Sequence, residues 1–426
     1  MGGMRGSMMF HLRRLSGKKE EGWYRLPEFR LSIDGASVGK AIANSNNITT
    51  NPSAIKWVFR CCPELPTSLV HKLFRLRQVR KQSCHFHLDN PKLNRVAAKD
   101  SLEVGDRIFL PISVQKILPL EPKVLVFNDE EMKFIRSLLL YKDSAVIVIN
   151  KPPGLPVQGG IGIKKSIDNL ATKYLKYEYQ DSPRLVHRLD RDCSGVLVMG
   201  RTQLTASALH SIFREKTSAL SNGDINHKKQ IIQKKYWALV IGSPRRDKGL
   251  ISAPLGKVIV GDGKSELIQI RDNIESSGAQ YAVTEYRVIG SSNHGFTWLE
   301  LCPLTGRKHQ LRVHCAEFLG TPIVGDFKYG WQAHRNLEHL SCIARSVSQQ
   351  DKSPKPVIDP FDLDLESGSL SDKQWRLHLH CKEMVLPNIH ATLQHAKMIT
   401  DCSFEELKFE APLPSHMQQS WDIFHS

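Results

Sequence analysis

The 426-residue chain reads as a mixed α/β (α+β) protein. Two kinds of pattern predict this class. Short β-branched or aromatic runs, at Ala145 to Ile149, Lys234 to Val240 and Phe296 to Cys302, have strand character. Other segments carry apolar residues at helical spacing: Leu204, Leu209, Ile212 and Phe213 in one, Leu311, Cys315 and Phe318 in another. Composition bounds the class further. Hydrophobic residues make up 41% and charged residues 24%, as in a soluble globular protein. No apolar run approaches the roughly 18 residues that cross a bilayer, so no membrane span is expected.

Taken in order, residues 1–54 read as a targeting segment and a linker. Arg5, Arg13, Arg14, Lys18 and Lys19 precede the first acidic residue, Glu20, with Met8, Phe10, Leu12 and Leu15 between them. A basic, acid-free, amphipathic start is that of a mitochondrial presequence, with a chloroplast or cytoplasmic location as the alternative. Residues 35–54 are small and polar, like a linker. Residues 55–115 form the next unit. Val70, Leu73 and Phe74 mark a helix whose other faces carry Lys72, Arg75, Arg77, Arg80 and Lys81, and Leu102 to Leu110 reads as a turn running into a strand. Residues 116–140 read as a connector and 141–426 as the main domain. Within that domain, 217–233 is expected to be a polar loop and the Ser/Asp/Lys/Pro-rich stretch 331–373 a partly disordered insertion.

The net charge of +16 points to a polyanionic partner. The nine cysteines include no C-x-x-C pair, so no zinc ribbon or dithiol redox centre is indicated. GKVIVGDGKS at 256–265 is no nucleotide-phosphate loop, because the first glycine of G-x-x-x-x-G-K-S/T falls on Val258.

One stretch invites chemistry. Between the apolar runs Leu185-Val186 and Val196 to Met199 lie His187, Arg188, Asp190, Arg191 and Asp192, a charge density that packing alone does not require. On spacing alone, a turn-capping Asp190 among solvated arginines is an equally good reading. HRLDRDCSG, however, resembles the HRLD-x-x-(T/S/C)-SG signature of the RluA-type RNA pseudouridine synthases. Further motifs of that family recur in order: NKPPG at 150–154 resembles NKP-x-G, KKYWALV at 234–240 resembles K-x-Y-x-A-x-V, and TGRKHQLRVH at 305–314 resembles TGR-x-HQ(L/I)R-x-H. PIVGD at 322–326 and APLP at 411–414 match later family turns, and 55–115 resembles an S4 RNA-binding domain.

The resemblance implies a pseudouridine synthase fold with a mixed, largely antiparallel sheet, beside a small S4-like domain. It implies Asp190 as catalytic carboxylate, Arg312 as its ion partner, and Tyr236 against the target base, able to serve in late proton transfer from C5. Arg188 would help evert the uridine, with His187 and Leu311 beside the substrate. Lys72, Arg75, Arg77, Arg80 and Lys81 would grip RNA phosphates. Breaking C1′–N1 and rejoining through C5 involves no net redox change, so no cofactor and no metal are expected; the partner is rRNA or tRNA and the protein a monomer. Lys151 carries no catalytic expectation. A catalytically inactive RNA-binding or ribosome-assembly protein of the same fold is the alternative. An Asp190 hydrolase fits less well, for want of a second placed carboxylate or a Ser-His pair.

Overall fold

The computed structural model describes residues 22–29, 52–62, 65–83, 93–116, 128–159, 163, 165–179, 181–221, 232–260, 265–271, 278–291, 295–338, 360–394 and 405–424. The basic start (1–19) and nearly all of the linker stretch lie outside the described residues. The chain divides into two compact units near residue 124.

The first unit contains β1 (Trp23–Arg25), α1 (Ala54–Cys61), α2 (Thr67–Arg75), β2 (Arg80–Gln82), β3 (Asn94–Arg95) and β4 (Arg107–Pro111). The strands pair antiparallel in the order β1-β4-β2-β3. Trp57 and Val58 of α1 and Val70, Leu73 and Phe74 of α2 pack with Leu102, Ile108 and Leu110 in one core. Two boundaries differ from expectation. Trp23–Arg25 falls within 1–54 yet pairs with β4, so this unit begins well before residue 55. Helix α2 ends at Arg75, and Arg80 and Lys81 lie on β2 rather than on the basic helix.

Those two residues are committed to the fold. Arg80 donates to the Arg77 and Val79 carbonyls and stands over the Trp23 ring at 5.3 Å. Lys81 pairs at 3.0 Å with Asp106, which is fully buried and closes its own turn by accepting from the Glu103 N–H. Lys72, Arg75 and Arg77 are exposed, leaving three of the five expected phosphate ligands on the surface.

The second unit opens with α3 (Asp129–Ser137) and β5 (Leu139–Lys142), so the expected connector is structured from residue 128. Asn128 caps α3 by accepting from the Glu130 and Glu131 N–H groups, and three acidic residues complement the dipole of its first turn. There follow β6 (Val146–Lys151), α4 (Ile167–Tyr174), β7 (Arg184–Leu185), β8 (Ser194–Gly200) and α5 (Gln203–Ser221). Thr202 caps α5 by accepting from the Thr205 N–H. The helix continues to Ser221, five residues into the expected polar loop, whose middle (222–231) lies outside the described residues.

Then come β9 (Gln233–Ile241), β10 (Lys248–Val260), β11 (Ser265–Ile270), β12 (Gln280–Ser291) and β13 (Phe296–Pro303). Of the rejected phosphate loop, 256–260 lie on β10 and Ser265 opens β11, which pairs antiparallel with it; 261–264 lie outside the described residues. After β13 come α6 (Gln310–Val313), which widens into a π turn at His314–Phe318, and α7 (Trp331–Glu338). β14 (Leu379–Pro387), α8 (Ile389–Gln394), β15 (Glu406–Glu410) and α9 (Ser415–Asp422) complete the unit.

The large sheet runs β11-β10-β12-β13-β9-β14-β8-β6-β5, with β15 added to β14 and β7 to β8. Every pairing is antiparallel except β14 with β8, so the sheet is mixed and largely antiparallel, as expected. The expected insertion is ordered at both ends. Residues 331–338 are helical, and Asp372 closes a turn by accepting from the Gly368 and Ser369 N–H groups; 339–359 lie outside the described residues.

The parallel seam is a tight place. Gly195 has φ of +110°, and a Cβ there would overlap the Cys381 carbonyl. Only glycine combines that dihedral with so close an approach. Gly195→Ala is expected to destabilise the protein by about 3 kcal/mol, read as a shift in urea midpoint at unchanged slope.

Candidate active site

The turn carrying Asp190 spans the gap between β7 and β8 and is held from three sides. Cys193 N–H donates to the Asp190 carbonyl at 3.2 Å, closing it. Lys151, wholly buried at the end of β6, donates to the carbonyls of Pro152, Arg191 and Cys193 at 2.8, 2.8 and 2.6 Å. His187 Nε2 accepts from the Val198 N–H at 2.9 Å, tying the turn's start to β8. Burial pushes the His187 imidazole far below its usual range, so it is neutral. Expected at the substrate, His187 spends this nitrogen on the strand, while the residue lines the cleft with its ring 5.5 Å from that of Phe213. Burial likewise pushes Lys151 down to about 8.

Arg312 reaches Asp190 from α6, Nη1 to Oδ2 at 3.3 Å. Its stronger partner is Asp326, on the turn after the π segment, which accepts from Nε and Nη2 at 2.7 Å each. Asp326 is buried and accepts from the Lys328 and Tyr329 N–H groups as well. Its turn is joined to β9 through Ile241 N–H to Pro322 and Val324 N–H to Leu239. Burial alone would lower the Arg312 pKa, but Asp326 and then Asp190 outweigh it and raise it, so this guanidinium is a permanent cation.

His309 takes a left-handed conformation, φ 52° and ψ 19°, just before α6. Its Nδ1 shares a hydrogen bond with the Tyr329 hydroxyl at 2.7 Å, and its Nε2 lies 3.9 Å from Asp190 Oδ2. Burial lowers its pKa, against the opposing pull of Asp190. Leu311 is buried in the core and also borders the cleft. The expected core face Leu311, Cys315, Phe318 does not persist: Phe318 is half exposed, because π widening changes the helical phase after residue 313.

Tyr236 lies on β9 between Leu301 and Cys381 of the flanking strands and is buried. Burial raises its phenol well above the usual value, leaving it a neutral hydroxyl. Asp190, Tyr236, Arg312, Leu311, His187 and an exposed Arg188 all line one cleft of about 820 Å³, a volume that suits an everted nucleotide. Lys234 borders the same cleft.

Sequence reasoning gave no part to Asp326 or Tyr329 and no positioning role to Lys151. The signals available were the PIVGD turn and the NKP strand end, which motif matching registers without saying what their side chains hold. His378 and His380 bond to Ser420 and Ser194 within the fold. Among the described residues, no His, Cys, Asp or Glu cluster is arranged to hold a metal, and no helix is long and apolar enough to cross a membrane.

A carboxylate pinned by arginine on the floor of a nucleotide-sized cleft, in a mixed and largely antiparallel sheet, fits the class of RNA-modifying isomerases. Residues 145–317 match the RNA pseudouridylate synthase family. The chain is 53% identical over 421 residues to RNA pseudouridine synthase 4, mitochondrial, of Arabidopsis thaliana, covering 95% of this chain and 87% of that protein. RNA pseudouridine synthase 3, mitochondrial, of Oryza sativa subsp. japonica is 38% identical over 94% of this chain and 88% of its own. Ribosomal large subunit pseudouridine synthase C of Rickettsia typhi is 35% identical over 65% of this chain and 81% of its own. The chain belongs to the RluA-type RNA pseudouridine synthase family and is an isomerase.

Asp326→Ala would strand Arg312 as a buried, half-compensated cation. The expected loss is about 3 kcal/mol of stability in denaturant titration, together with most of the isomerase activity, because Arg312 would no longer be aimed at Asp190.

Proposed function

We propose that this protein converts specific uridines of structured mitochondrial RNA, rRNA or tRNA, to pseudouridine, with Asp190 as the catalytic carboxylate. The observation that carries this reading is the Asp190–Arg312 pair at 3.3 Å in the cleft lined by Tyr236. Arg188, exposed on that cleft, takes part in everting the uridine, and Tyr236 packs on the extruded ring. Asp190 then acts on the nucleotide as base or nucleophile while C1′–N1 breaks; C1′–C5 forms, C5 gives up its proton and N1 gains one. Arg312 holds the carboxylate in place and supplies its counter-charge throughout. Carboxylate, arginine and tyrosine all come from one chain, so the proposed chemistry needs no residue from a second copy.

The basic, acid-free residues 1–19 and the printed names of the Arabidopsis and rice relatives support a mitochondrial location. The Rickettsia relative's name supports ribosomal RNA as the substrate class. The first unit serves as an S4-like RNA grip through Lys72, Arg75 and Arg77.

Asp190→Asn preserves the side-chain shape but removes its charge. Incubated with mitochondrial RNA from cells lacking the protein, the wild type should form mapped pseudouridines, and Asp190→Asn should be slower by about 10³-fold or more with RNA affinity little changed. Comparable turnover by the variant would remove Asp190 from the chemistry.

Replacing Lys72, Arg75 and Arg77 together by Gln should weaken RNA binding and lower the slope of log affinity against log salt by roughly one per lost phosphate contact. An unchanged slope in filter binding would place the RNA grip elsewhere.

A further inference from the structure

Lys234 is a cleft-lining cation to which the foregoing mechanism assigns no role, and it sits on the same strand as Tyr236. It stands two residues before Tyr236 on β9, so both side chains leave the same face of the strand, and both line the cleft. Its ammonium lies 4.5 Å from the centroid of the Phe213 ring. Among the described residues no carboxylate pairs with it. The titratable groups that face it are uncharged: His187 of the Asp190 turn is held far below its usual range, and Cys381 of β14 is pushed up to about 11, in both cases chiefly by burial. Tyr236 on its own strand is a neutral phenol, and burial lowers His210 of α5, which borders the same cleft.

The adjacent lysine provides the contrast. Lys235 leaves the opposite face of β9 and has its carboxylate, Glu383, at 3.0 Å. Lys234 is therefore a half-buried cation facing an open cleft, with no carboxylate beside it among the described residues. Burying such a charge costs free energy, and burial correspondingly pushes its pKa down to about 8. The missing counter-charge is one that the reaction itself produces. When C1′–N1 breaks, its electron pair stays with the uracil ring and spreads over N1, O2 and O4.

We propose that Lys234 holds the detached uracil by donating a hydrogen bond to one of its carbonyl oxygens. This inference rests on the Asp190 reading given above. Lys234 forms no covalent bond and exchanges no electron. It stabilises the negative ring as the glycosidic bond opens and steadies it while C5 turns towards C1′. Bond formation at C5, proton loss there and proton gain at N1 then restore a neutral base of unchanged composition. A donor aimed at charge that develops only during reaction accelerates the chemical step rather than binding.

The test uses the full-length protein and a transcript spanning a uridine mapped with the wild type. Single-turnover rate at saturating enzyme and RNA dissociation constant are measured for wild type, Asp190→Asn, Lys234→Met and Lys234→Arg. Lys234→Met is expected to lose about 10²-fold in rate with little change in RNA affinity, and Lys234→Arg to recover most of that loss. Melting curves and a parallel Lys234→Gln variant, polar but uncharged and expected to be impaired like Met, separate lost charge from disturbed packing against Phe213. An unimpaired Lys234→Met beside an inactive Asp190→Asn overturns the part given to Lys234 and leaves the Asp190 reading standing. Equal losses in rate and affinity, without rescue by Arg, overturn it as well, because that is the behaviour of a phosphate contact. An active Asp190→Asn overturns the Asp190 reading instead, and with it the inference built on it.

Discussion

One guanidinium shared between two carboxylates organises this structure. Arg312 gives its geometrically better fork to Asp326, both bonds at 2.7 Å, and its remaining N–H to Asp190 at 3.3 Å. The division follows from burial. Asp326 has no access to water, so it must be paid in full by protein donors, whereas Asp190 keeps an open side towards the cleft. Arg312 is therefore fixed by a buried partner that does not line the cleft, and its orientation towards Asp190 does not depend on what occupies the cleft. Electrostatic preorganisation of this kind requires a charge whose position does not depend on the reacting group.

The same logic holds for the turn that carries Asp190. Its backbone carbonyls converge on the Lys151 ammonium, His187 anchors its entry to β8, and Gly195 admits the parallel seam with β14 immediately after it. These supports come from β6, β8 and β14, the best buried part of the sheet. A turn on such a base loses little conformational entropy when a ligand binds. His309 adds a further constraint, since its left-handed backbone costs free energy that its bond to Tyr329 and its approach to Asp190 help to offset.

Local patterning made the strands and the pairing of Asp190 with Arg312 legible, the latter because both residues sit in short motifs of recognisable family form. What stayed hidden depends on distance in sequence. Asp326 is 14 residues from Arg312, and Lys151 is 40 residues from the Arg191 carbonyl it binds; neither spacing announces a contact. Helix phase hid another feature. Periodicity from Arg307 onwards assumes a uniform α-helix, but the π turn at His314–Phe318 rotates Phe318 outwards and frees the chain to place Asp326 under Arg312. In the first unit, charge counting treated five cations as equivalent, although a buried Asp106 and the face of Trp23 had already claimed Lys81 and Arg80. Composition registers a charge but not the partner that neutralises it.

The charges around the cleft can then be added up. The formal charges of Asp190, Asp326 and Arg312 leave one net negative charge beside the cleft, at its sugar end on the reading proposed above. The histidines beside them are kept neutral by burial, as are Cys381 and Tyr236. On the roles proposed for Asp190 and Lys234, the cleft is a dipole, negative towards C1′ and positive towards the base. Opening a glycosidic bond heterolytically creates positive character at C1′ and negative character on the ring, the same polarity. A negative charge at one end and a positive one at the other favour that separation over the intact nucleotide, and the partial burial of both groups limits their screening by water. The neutral groups around Lys234 are thus part of the proposed chemistry: a thiolate at Cys381 would cancel the positive field at the end where the base must leave, and a protonated His187 would place a second, repelling charge beside Lys234.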